Sequence, residues 1–277
     1  MVKYKPKIIL SAAITLDGKI GQKNKKIVLS SKSDKIRVHK LRSKFDAILV
    51  GKNTVEQDNP LLTVRHVKGK NPIRIILDSH GTIKNSSQII KTCKNVPTII
   101  VTSEFISKLN LNRLNKLPLD VIVCGKDQVN IRKLVSILYK KGIKNILLEG
   151  GGTLNHSFLK KNLIDEMIIT LTPYALGSKN TVNLFEGISF DDSKEKSSLK
   201  LKNVQKISNE VILNYEVWTR KSPFILSIFF EKLFLIFSCF FISESLRFRT
   251  LPHDGHLKNW SSESSNVDLE QSWLPQW

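Results

Sequence analysis

The sequence predicts an α/β protein with a mainly parallel central sheet and helices on both faces. Short, continuously apolar runs alternate with stretches whose apolar residues recur at helical spacing, the pattern of strands buried on both sides. One such run passes through a carboxylate and three glycines straight into a helix, in Leu147-Leu148-Glu149-Gly150-Gly151-Gly152-Thr153-Leu154-Asn155. The final run, Glu210–Trp218, alternates in polarity and reads as an antiparallel addition near the end of the domain.

In chain order, Lys7–Ile14 reads as a buried strand followed by a turn at Asp17-Gly18-Lys19. Ser33–Lys44 reads as a helix with Val38, Leu41 and Phe45 on one face. Ala47–Val50 is a strand closed by Gly51, and Pro60 stops any helix in the loop that follows. Ile73–Leu77 lies between Pro72 and Asp78-Ser79, and Thr98–Thr102 and Val121–Val123 repeat the pattern. Ile131, Leu134, Val135 and Leu138 mark an amphipathic helix ending at Gly142. Strand Asn145–Leu148, the glycine turn, a helix through Lys161 and strand Met167–Leu171 complete the order.

Residues 1–220 form one domain by composition, and 221–277 differ from it. The later segment holds 8 of the 13 Phe and 3 of the 4 Trp. Phe224–Ile242 is nearly continuous in apolar residues and about as long as a membrane span. Glu231-Lys232 falls near its middle, where charge is costly, so membrane contact is not the favoured reading. An interfacial or oligomerising helix is a second reading; a segment outside the fold is the one preferred.

The net charge of +20 falls almost wholly before residue 221, because 221–277 hold 5 Lys or Arg against 6 Asp or Glu. The lysines are spread over every segment rather than gathered in a stripe, which argues against a nucleic-acid footprint and leaves attraction of small anions. Cys93, Cys124 and Cys239 lack C-x-x-C spacing, so neither a zinc site nor a disulfide framework is expected. Together with the lack of a readable secretory signal, this suits the cytoplasm.

Chemistry is expected at the glycine turn. Glycines let backbone approach a bound group closely, and the free N–H groups of a helix start attract phosphate. Glu149 would sit at the carboxyl end of a strand, where open α/β sheets bind their ligands. Lys19, Arg42, Asp58 and Arg65 also fall at turns or element ends. Arginines can grip a phosphate with forked hydrogen bonds, and a lysine can add charge or move a proton. Two carboxylates can orient sugar hydroxyls or exchange protons with a reacting nitrogen. Singly, each has a structural reading, Arg42 as a cation at a helix end and Asp58 as a turn former; only their joint occurrence points to one anionic substrate. His39, His80 and His156 have no metal-ligand spacing and read as structural or peripheral.

Taken together, the ordered motifs resemble the riboflavin-biosynthesis reductases. They are Ser11-Ala12-Ala13-Ile14-Thr15-Leu16-Asp17-Gly18-Lys19-Ile20, Arg37-Val38-His39-Lys40-Leu41-Arg42, Gly51-Lys52-Asn53-Thr54-Val55-Glu56-Gln57-Asp58-Asn59-Pro60, Asn71-Pro72-Ile73-Arg74-Ile75-Ile76-Leu77-Asp78-Ser79 and the glycine turn. The likeness runs from about Lys7 to Trp218 and is strongest to the stand-alone archaeal type. That type reduces 2,5-diamino-6-ribosylamino-4(3H)-pyrimidinone 5′-phosphate; reduction of 5-amino-6-(5-phosphoribosylamino)uracil is the alternative, and a non-catalytic basic nucleic-acid binder a more distant one. The resemblance implies a dihydrofolate-reductase-like fold, a homodimer, and hydride transfer from NADPH, with NADH as the other candidate. It places Thr54 and Asp58 beside the nicotinamide, Gly150, Gly151, Gly152, Thr153 and Leu154 around the pyrophosphate, and Ser79 near the adenosine end. Lys19, Arg42, Arg65 and Glu149 match substrate-contacting positions, with Lys19, Asp58 and Glu149 as the catalytic set. Asn59 and Gly177-Ser178 depart from the family pattern, and the H-x-E and P-C-x-x-C ligands of the fused zinc deaminase domain are absent.

Overall fold

The computed structural model describes residues 4–177, 179–187 and 198–218; the expectations for 221–277 lie outside them. Its elements are β1 (Lys7–Ile14), β2 (Lys19–Gln22), α1 (Lys32–Arg42), β3 (Ala47–Gly51), α2 (Lys52–Asp58), β4 (Ile73–Leu77), α3 (Gln88–Lys91), β5 (Thr98–Thr102) and α4 (Lys108–Asn115). They continue with β6 (Asp120–Val123), α5 (Ile131–Lys140), β7 (Asn145–Gly150), α6 (Gly152–Lys160), β8 (Glu166–Leu171), β9 (Thr181–Asn183), β10 (Ser198–Ile207) and β11 (Glu210–Trp218).

Among the described residues nine strands form one sheet in the order β10-β11-β8-β1-β7-β3-β4-β5-β6. The run from β8 to β6 is parallel, and β11 joins β8 antiparallel, as its alternating polarity predicts. β7 is inserted between β1 and β3 late in the chain. The carboxyl ends of β1, β7 and β3 therefore lie side by side where the order of connections reverses, which is the ligand position of open α/β sheets.

Successive strand residues point to opposite faces and fill two cores. Ile8, Leu10, Leu49, Ile75, Val101 and Leu148 face one way and pack with Leu134, Leu138 and Phe158 of α5 and α6. Ile9, Ile48, Val50, Ile76, Ile100 and Leu147 face the other way and pack with Val55, Ile89 and Leu114 of α2, α3 and α4, and with Leu41 and Phe45 beside them. Both faces are covered by helices, which is why the strands read as unbroken apolar runs.

Several elements were not foreseen. α2 spans only seven residues and buries Val55 alone, too little for a period to show. It ends at Asn59, whose φ of 43° is left-handed, one residue before the proline expected to stop a helix. β2 and β9 are short and pair only with each other. β10 is the outer edge strand, exposed along almost its whole length, so no apolar run announces it. Among the described residues no helix is long and apolar enough to cross a membrane.

Candidate active site

A cleft of about 1570 Å³ opens over the carboxyl ends of β1, β7, β3 and β4. Single small-molecule pockets usually occupy ~300–1,000 Å³, so this one has room for two molecules side by side. Arg42, Asp58, Arg65 and Glu149 all line it, as do Thr54, Ser79 and Gly151 through Leu154.

Glu149 reaches the cleft through a register irregularity. Leu49 pairs with Leu148 but Val50 pairs with Gly150, so Glu149 is left out of the ladder with β3. Such bulges re-aim a side chain, and here the carboxylate meets Arg42 from the last turn of α1. Arg42 Nε donates to Oε1 at 2.7 Å and Nη2 to Oε2 at 2.6 Å, a forked pair in which each side chain is 12% exposed. Nη1 donates to the Thr63 carbonyl at 3.1 Å. Burial works to lower the Arg42 pKa, but the Glu149 charge and hydrogen bonds outweigh it and raise the value. Arg42 thus binds a carboxylate of its own chain, and its effect on a ligand passes through Glu149.

Asp58 closes α2 and also lines the cleft. Burial raises its pKa, only partly offset by the Lys26 charge, and no described residue donates a hydrogen bond to its carboxylate. A carboxyl group pushed toward its neutral form inside a cleft is suited to holding a proton. Lys26 reaches across to the Asp58 backbone carbonyl.

Arg65 is anchored by a residue the sequence reading left peripheral. The Arg65 N–H donates to Nδ1 of His39 at 3.0 Å, and His66 sits edge-on to the His39 ring at 4.5 Å. His39 is 4% exposed, and burial, reinforced by the charges of Arg42, Arg65 and His66, pushes its pKa down to about 4. The imidazole is therefore neutral, with its proton on Nε2. Burial and the Arg42 charge also lower the Arg65 pKa. Nothing in the local sequence distinguishes His39 as buried, because it lies one residue off the apolar stripe of its helix.

The glycine turn has a separate reason for each residue. Gly150 and Gly151 hold φ of 102° and 95°, which side chains disfavour. Gly152 lies so close to the Asn183 carbonyl and Glu186 that a Cβ there would collide with them. Thr54 Oγ1 donates to the Gly150 carbonyl at 3.2 Å, tying α2 to the turn. Gly151, the N-cap of α6, has no side chain to cap the helix, so the first-turn N–H groups stay available to an anion. The start of this helix offers backbone donors to a nucleotide pyrophosphate, with the Thr54 and Glu186 side chains packed against the glycines. Ser79 lines the far end of the cleft beyond β4, where its Oγ accepts from the Val129 N–H at 3.3 Å.

Lys19 is not brought to the cleft wall. The turn at Asp17-Gly18 leads into β2, whose Ile20 and Gly21 line the cleft with Val182 of its partner β9, while the Lys19 ammonium donates to Asn183 Oδ1 at 2.6 Å. Gly150 shapes the turn without lining the cleft. Conversely, sequence reasoning passed over Asp34 and Lys26, both of which line the cleft. Among the described residues no group of three His, Cys, Asp or Glu side chains could hold a metal ion.

Fold and site together define an α/β protein with a two-ligand cleft over the carboxyl edge of a parallel sheet, built around a buried Arg–Glu pair and a glycine-lined helix start. The chain belongs to the RibD C-terminal domain family, whose model matches residues 6–213. It is 34% identical over 218 residues to the 2,5-diamino-6-ribosylamino-4(3H)-pyrimidinone 5′-phosphate reductase of Aquifex aeolicus, covering 77% of this chain and 97% of that one. It is 35% identical over 216 residues to the enzyme of the same name from Methanothermobacter thermautotrophicus, covering 77% and 99%. In structure it is similar to Acinetobacter baumannii RibD, with a TM-score of 0.66, 23% identity, and coverage of 78% of this chain and 59% of that one. The fold is accordingly the dihydrofolate-reductase-like one that the motifs implied.

Proposed function

We propose that this chain reduces the ribosyl group of 2,5-diamino-6-ribosylamino-4(3H)-pyrimidinone 5′-phosphate to the ribitylamino product in riboflavin biosynthesis, using a nicotinamide cofactor. The observation that carries this is that the part-buried Arg42–Glu149 pair, Asp58 and the glycine turn line one cleft. Two relatives spanned almost end to end carry the name of that reductase.

A bound nicotinamide supplies the hydride that goes to C1′ of the sugar. The chain's own residues place the sugar and manage the proton. The N–H groups at the start of α6 hold the cofactor's pyrophosphate, and Thr54 keeps that turn against α2. Glu149, held in register by Arg42, orients the opened sugar and favours positive charge at the reacting carbon–nitrogen bond. Asp58, whose carboxyl is shifted toward the neutral form by burial, lines the same cleft and is the group suited to exchange a proton with the nitrogen. Arg65 and Lys26, both lining the cleft, supply the positive charge that a 5′-phosphate needs.

NADPH is the expected donor. Lys52 lines the cleft at the head of α2, with Nζ 3.0 Å from Thr82 Oγ1 in the loop that follows Ser79, and so provides a cation for a ribose 2′-phosphate. A cytoplasmic homodimer is the expected form. The exposed Leu199, Leu201 and Val204 of β10 lie opposite Val217, Tyr215 and Leu213, so the irregularity near residue 202 keeps all three on one face of an edge strand.

An absorbance assay at the nicotinamide band, run with the diaminopyrimidine phosphate and its deaminated counterpart against NADPH and NADH, tests the proposal. Rapid oxidation of NADPH with the diamino compound is expected. A protein that binds NADPH yet oxidises it with neither pyrimidine would refute it.

A further inference from the structure

We infer that Asp34 reads the 2-amino edge of the pyrimidine and so selects the diamino substrate over its 2-oxo counterpart. The inference rests on the proposed reaction and goes beyond it by naming the residue that chooses between two substrates differing at one atom.

Asp34, Val38 and Arg42 fall at successive turns of α1, and all three line the cleft. At 1.5 Å per residue Asp34 stands about 12 Å along the helix from Arg42. That separation suits a ligand with its sugar at the Arg42–Glu149 pair and its base further along the helix.

The Asp34 side chain is 1% exposed and fixed from several sides. Its Oδ1 accepts from Arg37 Nε at 2.8 Å and from Thr170 Oγ1 at 3.0 Å. Its backbone N–H is capped by Ser31 Oγ at 3.1 Å. Ser31 is in turn gripped by the buried Glu210 carboxylate, through its N–H at 2.7 Å and its hydroxyl at 2.6 Å. Hydride transfer needs none of this network. Among the described residues nothing donates to Asp34 Oδ2, although the residue lies on the cleft wall.

A carboxylate oxygen only accepts hydrogen bonds. The 2-amino-4(3H)-pyrimidinone ring presents adjacent donors, the N3–H and the 2-amino group. Its deaminated counterpart replaces the amino group with a carbonyl oxygen, another acceptor. Facing Asp34, the amine gains a charge-assisted bond, whereas the carbonyl leaves two acceptors opposed and both stripped of water. Of the other carboxylates that line the cleft, Glu149 is fixed beside the sugar site by Arg42, Glu56 pairs with Lys52, Asp78 accepts from the Ile83 N–H, Glu186 accepts from the Asn183 N–H, and Asp58 closes α2. Lys35, the neighbouring cation that a carbonyl could attract, is exposed and keeps its water.

The test measures kcat and KM for both pyrimidine phosphates with saturating NADPH, on the full-length protein and on Asp34→Asn, whose amide can face either substrate as donor or acceptor. The wild type is expected to favour the diamino substrate by at least about tenfold in kcat/KM. Asp34→Asn should bring that ratio to within about threefold, with KM carrying more of the change than kcat. A folded variant that keeps the wild-type ratio overturns the inference, as does a wild type that uses both substrates equally well. If the wild type reduces neither compound, the proposed reaction fails. Calorimetric binding of the two pyrimidines to wild type and variant then decides the role of Asp34 separately, with equal affinities counting against it. If Asp34→Asn does not give a cooperative melt, Asp34→Ser, which removes the carboxylate but keeps an acceptor for Arg37, takes its place; an unchanged ratio there overturns the inference equally.

Discussion

Acidification should destabilise this protein through His39, by an amount that can be worked out from its surroundings. The ring is buried, its Nδ1 accepts the Arg65 N–H, and the cations Arg42 and Arg65 lie beside it. Its pKa is held down from 6.5 to about 4. A group depressed in the folded state contributes its full stability above the unfolded value and loses it as pH falls through the folded one. The window is therefore pH 6.5 to about 4. At 1.36 kcal/mol for each unit, the contribution lost across it is roughly 3 kcal/mol. Urea unfolding of the wild type and of His39→Asn at closely spaced pH values isolates the effect. Asparagine can still accept from the Arg65 N–H but does not titrate, and every carboxylate is common to both proteins. The stability difference should change by about 3 kcal/mol between pH 7 and pH 4, in favour of the variant at the acid end. Parallel curves across that window would refute the reasoning and mean that the imidazole reaches water or an acidic partner when it protonates.

The other expectations concern the site and the core. Glu149→Gln leaves Arg42 without its counter-charge and should lower kcat/KM by roughly 100-fold or more, read as NADPH consumption, while NADPH affinity by nicotinamide fluorescence stays within a few-fold. Gly152→Ala places a methyl group against the Asn183 carbonyl and Glu186; it should weaken NADPH binding by about tenfold or more in the same fluorescence titration. Leu138→Ala in α5, at a position with no exposure, should cost about 2–5 kcal/mol in urea unfolding without altering KM. Leu201→Lys with Val204→Lys should halve the mass measured by sedimentation if the β10 edge joins two copies, and leave it unchanged if that edge is free.

The regular part of the fold was legible residue by residue. β1, β4, β5 and β11 have the ends read from the sequence, the first three because strands buried on both faces show as apolar runs and their turns carry Pro, Gly or Asp, and β11 because its polarity alternates. α5 was legible for the same local reason, with Ile131, Leu134, Val135 and Leu138 buried as their spacing requires. α1 was recognised as a helix but not for what it buries: its buried residues are Asp34 and His39, not Val38 and Leu41. A polar side chain in a satisfied interior site looks the same in a sequence as one in water, since only its partners differ.

From the amino-acid order alone came the parallel sheet, the strand–Glu–glycine–helix turn, and the Arg42, Asp58, Arg65 and Glu149 side chains that line the cleft. These depend on neighbours a few residues apart, through periodicity and backbone freedom. Tertiary structure alone decided which of those side chains meet. Insertion of β7 beside β3 carries Glu149 to Arg42, 107 positions earlier, while the pairing of β2 with β9 sets the Lys19 ammonium on Asn183. Such partnerships follow from strand order and burial, which are settled by the packing of the whole domain rather than by any local stretch of chain.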